Sequence, residues 1–246
     1  MFLTSSEGHH IKNGLRRSSS SGSQRLIFLI LRGEILNILV ACEESQVVCI
    51  AFRKAGHSAF SCDLQDCSGN RPEWHIKEDV LPLINGKCSF NTCDGLNHTI
   101  ENSWDMIIAF PPCTYISNAG SRHLYKNGKL NHERFNKGLA ARDFFMKIYN
   151  ADCKKICIEN PIHNSIYGIP PFSQQIQPYY FGHPVMKTTR LWLKGLPILW
   201  ATDLVACTDT FLPTSSGRKG ICSSHKSIDR SKTFSGIASA MAAQWG

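Results

Sequence analysis

Short apolar runs alternate along this chain with stretches of helical spacing, and each run ends abruptly in polar residues or proline. The first, Leu36-Asn37-Ile38-Leu39-Val40-Ala41, has the length and near-continuous apolarity of a strand covered on both faces. Residues 43–55 follow with Val47, Val48, Ala51 and Phe52 at helical spacing, and Gly56 supplies a stop. Residues 57–62 read as a second strand and 74–76 as a short third. Residues 104–110 form a strong central strand that Pro111 and Pro112 end, because proline cannot donate to a ladder. Residues 131–149 are predicted to be a helix with Phe135, Leu139, Phe144, Phe145 and Ile148 near one face, and Lys155-Ile156-Cys157-Ile158 is the next buried strand. Residues 85–103 are turn-rich and are expected to form an exposed excursion. The alternation predicts an α/β chain with a Rossmann-like, doubly wound, mostly parallel sheet that binds ligands at the carboxyl ends of its strands.

The 246 residues are expected to form one domain over 34–246, preceded by a basic, Ser-rich extension (1–33) too polar to order itself. The net charge of +8 favours a polyanionic partner, although Lys12, Arg16, Arg17, Arg25 and Arg32 of the extension supply part of it. Eleven cysteines in a chain this long and core-rich do not indicate a small disulfide scaffold. Cys49 and Cys157 lie inside apolar runs, as packed thiols do. Cys62 with Cys67 and Cys88 with Cys93 form two C-x4-C pairs, but the spacing is loose for a zinc knuckle and no metal is expected. Free thiols fit a reducing cytoplasm. Residues 26–31 are apolar but too few to span a bilayer, so the expectation is a soluble, cytoplasmic monomer without a membrane partner.

Polar groups cluster where the predicted strands end. Cys42-Glu43-Glu44-Ser45 follows the first, Asp63 the second, Asp79 the third, Pro111-Pro112-Cys113 the central one and Glu159-Asn160-Pro161 the next. Five polar ends on one edge of a sheet should line a common crevice. Carboxylates after the second and third strands suit ribose hydroxyls and an adenine amine. The absence of GxGxxG and GxxxxGK[ST] patterns argues against dinucleotides and nucleoside triphosphates. A nucleoside without a polyphosphate remains, and S-adenosylmethionine fits. His163, His183 and His225 have no evident partners and read as structural or surface residues.

The order of four segments resembles the cytosine-5 DNA methyltransferases, especially their short phage- and prophage-type members. The segments are Phe110-Pro111-Pro112-Cys113-Thr114-Tyr115-Ile116-Ser117, Ile158-Glu159-Asn160, Lys187-Thr188-Thr189-Arg190-Leu191-Trp192, and a closing helix from Phe234 to Gly246. The resemblance covers residues 36–246. It implies the S-adenosylmethionine-dependent methyltransferase fold and a covalent mechanism on cytosine in DNA, with the target base flipped out of the duplex. Cys113 would add to C6, Glu159 would hold N3 and the exocyclic amine, and Arg190 would hold the O2 side and lower the thiol pKa. Ser117 and Asn160 would contact substrate. Ala41, Glu43, Ser45, Asp63, Asp79 and Pro111 would hold the cofactor, and residues 114–128 would form a mobile loop over the base.

The chain departs from that pattern in three places. Its first loop, Ala41-Cys42-Glu43-Glu44-Ser45-Gln46, has no glycine to let the backbone approach the cofactor. Pro161 follows Glu159-Asn160 where typical members have valine, and the C-terminal segment lacks their Gly-Asn pair. Only about 40 residues separate Arg190 from the closing helix, so sequence readout must be short, borrowed or absent. Two other readings stay open: a methyltransferase for RNA or a pyrimidine nucleotide, and a degenerate relative that binds nucleic acid or cofactor without turnover.

Overall fold

Seven strands build the central sheet of the computed structural model, which describes residues 34–210 and 232–246. They are Asn37–Ala41 (β1), Ser58–Cys62 (β2), His75–Ile76 (β3), Met106–Ala109 (β4), Ile156–Asn160 (β5), Gln174–Ile176 (β6) and Thr189–Lys194 (β7). Their order across the sheet is β6-β7-β5-β4-β1-β2-β3. Strands β1 to β5 run parallel to one another, while β7 lies antiparallel to both β5 and β6. The chain is therefore α/β with a mostly parallel sheet, as a Rossmann-like winding requires. The winding reverses direction between β1 and β4, and such a switch point opens a crevice at the carboxyl ends of the strands.

Helices cover both faces, which is why the inner strands are apolar without alternation. On one face Leu39, Phe60, Ile107, Ile158 and Trp192 pack with Phe145 and Ile148 of the long helix His132–Tyr149. On the other, Ile38, Val40, Met106, Ile108 and Leu191 pack with Val48 and Phe52 of helix Val47–Lys54 and with Met241 and Trp245 of helix Ser235–Trp245. These helices are α1 (Val47–Lys54), α2 (His132–Tyr149) and α3 (Ser235–Trp245) in chain order. The side chain of Asn131 caps α2 by accepting from the Arg134 N–H at 3.1 Å. The described residues from Leu36 onward group as one compact unit. No helix among the described residues is long and apolar enough to cross a membrane.

Two expectations are corrected. Helix α1 starts at Val47 rather than Glu43, because residues 42–46 form a turn in which Cys42 (φ 58°) and Gln46 (φ 59°) adopt the left-handed conformation. Residues 85–103 are largely exposed, but they are more than an excursion of turns. They hold a hairpin of Cys88–Asn91 against Asn97–Ile100, and Phe90 and Ile100 are buried in the core beside Phe60 and Trp104. The expectations for residues 1–33, the apolar run 26–31 among them, and for His225 lie outside the described residues.

Candidate active site

The ends of four neighbouring strands enclose a cleft of about 210 Å³. Cys42 enters it after β1, Cys62 and Asp63 at the end of β2, and Glu78 and Asp79 after β3. Pro112, beyond the end of β4, forms part of the wall, and Val80, Ala141 and Phe144 add apolar surface. Asp63 and Asp79 each use Oδ1 to accept a backbone N–H two residues on, from Gln65 at 3.0 Å and Leu81 at 3.1 Å. The cleft thus has three carboxylates and an apolar remainder, with no lysine or arginine lining it among the described residues. That wall repels phosphates, accepts hydrogen bonds from hydroxyls and amines, and favours a positively charged ligand.

Burial, then the nearby Asp63 and Asp79 carboxylates, raise the pKa of the Cys42 thiol, and burial pushes Cys62 up to about 12. Both are neutral, apolar wall material at physiological pH. The absent glycine is answered here too. Cys42 takes the left-handed conformation that glycine adopts without cost, and Gln46 takes it four residues later. Gln46 is held there by its buried amide, which donates to the Arg71 carbonyl at 2.8 Å and accepts from the Arg71 N–H at 3.0 Å.

Not every residue expected at the cofactor is there. Glu43 turns inward and caps α1, accepting from the N–H groups of Val48 at 2.6 Å and Cys49 at 3.1 Å. Ala41 is buried in the core, and Ser45 does not line the cleft. Pro111 sits behind it, its carbonyl accepting from the Asn160 side chain at 2.9 Å; its neighbour Pro112 is the wall residue.

Cys113 follows Pro112 directly. Its carbonyl accepts from the N–H groups of Ile116 at 3.1 Å and Ser117 at 2.9 Å, so the thiol heads a tight turn. Ser117 is buried and bridged to His163, which makes it a brace for that turn. Burial raises the Cys113 pKa, the negative charge of Glu159 raises it further, and Lys187 opposes both. Glu159 itself is raised, chiefly by burial, with Lys187 and Thr189 beside it working the other way. Thiol, carboxyl and ammonium therefore form one electrostatic cluster. Lys187 is held just before β7, with Nζ 5.7 Å from the Phe234 ring centre.

Arg190 is not part of this cluster. It pairs with Asn160 across β7 and β5, whereas Leu191 pairs with Glu159. Neighbours along a strand point to opposite faces, so Arg190 and Glu159 lie on opposite sides of the sheet. Arg190 packs over the Phe172 ring at 4.2 Å, and its buried Nε has no hydrogen-bond partner among the described residues. The cation expected at the thiol is Lys187 instead. The alternation of Thr189-Arg190-Leu191-Trp192 around a core leucine is the signal that separates the two.

Asn160 is also a support rather than a substrate contact. Besides holding the Pro111 carbonyl, its Oδ1 accepts from His163 Nε2 at 2.9 Å. His163 stacks on Trp192 at 4.8 Å between ring centres, and burial, then Arg190, depresses its pKa to about 4. A neutral imidazole with Nε2 as donor is thus part of the scaffold, as its lack of evident partners suggested. His183 is structural too: Nε2 accepts from the Gly236 N–H at 3.0 Å, at the start of α3. Among the described residues no three His, Cys, Asp or Glu side chains converge as metal ligands, and Cys62 of the first C-x4-C pair lies in the core. Residues 114–128 form a short 3-10 helix over Asn118–His123 and the first strand of a hairpin, Tyr125–Lys126 against Lys129–Leu130. No family model matches this chain, and no curated protein matches it.

Proposed function

We propose that the chain is an S-adenosylmethionine-dependent methyltransferase that methylates C5 of cytosine in DNA, with Cys113 as the nucleophile. The observation that carries this reading is that Pro112 lines the carboxylate-walled cleft while the next residue, Cys113, belongs to the cluster with Glu159 and Lys187. A site for a cationic nucleoside and a site for a nucleophile are thereby one residue apart. The sheet order and its switch point agree with a methyltransferase of Rossmann-like winding.

Asp63, Glu78 and Asp79 would accept from the hydroxyls and amines of the cofactor, while Phe144, Val80 and Pro112 cover its apolar parts. Bound there, S-adenosylmethionine supplies a methyl group activated by its sulfonium. Cys113 acts as thiolate: its sulfur bonds to C6, the C5–C6 π bond opens, and electron density collects at C5. Glu159, whose pKa burial raises, would hold N3 and the exocyclic amine and stabilise the charge that develops on the ring. C5 would take that methyl group as its bond to sulfur breaks and S-adenosylhomocysteine leaves; a base would then take the C5 proton, the C5–C6 double bond return and the thiolate depart. Lys187 stabilises the thiolate at both ends of the cycle.

The test is transfer of labelled methyl from S-adenosylmethionine to duplex DNA, RNA and pyrimidine nucleotides, with Cys113→Ser alongside. Transfer to DNA, abolished by the substitution, together with a covalent adduct on 5-fluorocytosine DNA, is expected. Failure to bind the cofactor and to methylate any of these substrates rejects the reading; transfer only to RNA or nucleotides reassigns the substrate.

A further inference from the structure

A second cavity, of about 560 Å³, lies beyond Cys113 along the chain and has the opposite electrostatic character. Arg122, Lys126, Arg134 and Lys137 line it against one carboxylate, Glu133, which Lys137 already engages at 2.6 Å. Two tyrosines share the wall and differ in availability. The Tyr115 ring is covered by Arg134 at 5.1 Å and by Lys137 at 5.9 Å from its centre. Tyr125, on the short hairpin, is 52% exposed.

The cavity is tied to the Cys113 turn. Arg134 donates through Nη2 to the Thr114 carbonyl at 2.9 Å, so one cationic wall residue holds the residue after the thiol. Gly120 makes that approach feasible, because a Cβ there would press against Arg134 Nη2 at 2.7 Å and the Thr114 carbonyl at 2.8 Å. The hairpin that carries Tyr125 and Lys126 turns on Asn127 (φ 51°) and Gly128 (φ 77°), the left-handed pair a two-residue hairpin turn requires.

We propose that this cavity holds a single-stranded polynucleotide, with phosphates on Arg122 and Lys126 and a base stacked on Tyr125. Clustered cations supply affinity for a phosphate backbone of any sequence. An open aromatic ring beside them distinguishes a strand from a duplex, because only an unpaired, unstacked base offers it a free face. The link through Arg134 and Thr114 places the strand next to the thiol that acts on its base. The inference rests on the proposed function only for that last step; strand binding itself requires neither cofactor nor turnover.

Fluorescence anisotropy of the full chain, without cofactor, tests it with a short labelled deoxyribonucleotide strand, the same strand as duplex, and its ribonucleotide counterpart, over a salt series. The single strand should bind more tightly than the duplex. Tyr125→Ala should weaken single-strand binding about tenfold, and Tyr125→Phe should restore it. Arg122→Ala and Lys126→Ala should each flatten the slope of log affinity against log salt by about 0.7. A preference between the two single strands supports the groove and names the sugar it takes. Duplex binding equal to or tighter than single-strand binding, or single-strand binding indifferent to all these substitutions, overturns the proposal. Tyr125-dependent binding without any methyl transfer would reject the enzymatic reading alone; methyl transfer by a chain whose binding ignores Tyr125 would reject the groove alone.

Discussion

Cys113 occupies an unfavourable place for a thiolate, since burial and Glu159 both raise its pKa, while its own backbone N–H and Lys187 pull it down. The thiolate fraction therefore increases with pH, and kcat/KM for methyl transfer should rise through neutral pH into the alkaline range. Lys187→Ala should move that rise to higher pH and Lys187→Arg should leave it nearly in place, which a pH–rate profile reads directly. Arg190→Ala should not move it, because that side chain lies across the sheet on Phe172. Glu43 gives a second titration, in stability rather than rate. Burial raises its carboxyl from 4.5 to about 8, against the Val48 and Cys49 N–H groups that favour the ionised form. Between those values the folded chain holds a proton that the unfolded chain releases. Its contribution is thus full below pH 4.5 and is lost as the pH rises through 8. Urea midpoints should fall across that window by the equivalent of about a few kcal/mol, and Glu43→Gln should flatten the fall. The sequence shows that Glu43 and Asp63 both follow strands, but not which carboxylate turns toward the cleft and which folds back onto its own helix. That choice depends on the turn at Cys42 and Gln46, where left-handed backbone stands in for the missing glycine.

At the scale of elements, the parallel strands β1, β2, β4 and β5 were legible because burial on both faces leaves a continuous apolar signature, as in Met106-Ile107-Ile108-Ala109. The hairpin at Cys88–Asn91 and Asn97–Ile100 was not: it buries isolated residues such as Phe90 among polar neighbours, and its pairing is set by contact with Phe60 and Trp104. The antiparallel course of β7 was equally hidden, and its register is what sets Leu191, and not Arg190, opposite Glu159. Helix α2 carries a sharper test. Gly138 faces the Tyr167 ring, leaving no space for a Cβ. Gly138→Ala would gain about 1 kcal/mol in helix propensity but force a rigid ring aside, at a cost of about 1–3 kcal/mol. Denaturant unfolding should show net destabilisation, with Tyr167→Ala relieving the clash. On the proposed function, Asn160→Ala should lower methyl transfer more than its loss of stability explains, because it frees the Pro111 carbonyl behind the Cys113 turn.

Across the whole molecule, charge is sorted into two cavities of opposite sign, one walled by Asp63, Glu78 and Asp79 and one by Arg122, Lys126, Arg134 and Lys137. A net charge of +8 conceals that division, and only the folded chain reveals it. The division predicts selectivity between small ligands. At about 100 times its dissociation constant, S-adenosylmethionine should stabilise the fold by about 2.7 kcal/mol and raise the melting temperature by about 5–10 °C. ATP shares the adenosine but brings phosphates to a carboxylate wall, so it should give no comparable shift through that cleft. Asp63→Asn with Asp79→Asn should diminish the response to S-adenosylmethionine.

Pro112 lines the carboxylate-walled cleft and Cys113 follows it, so one short stretch of backbone would answer to both proposed ligands. Proline's ring fixes φ, so a ligand that presses on Pro112 has few backbone rotations available to absorb the push before it reaches the thiol. Filling one chamber should thus be felt in the other as a change in thiol reactivity, measurable as altered alkylation of Cys113 when ligand is present. An inhibitor joining an adenosine to a cysteine-directed warhead would need only a short tether, and its two halves would reinforce each other through effective concentration.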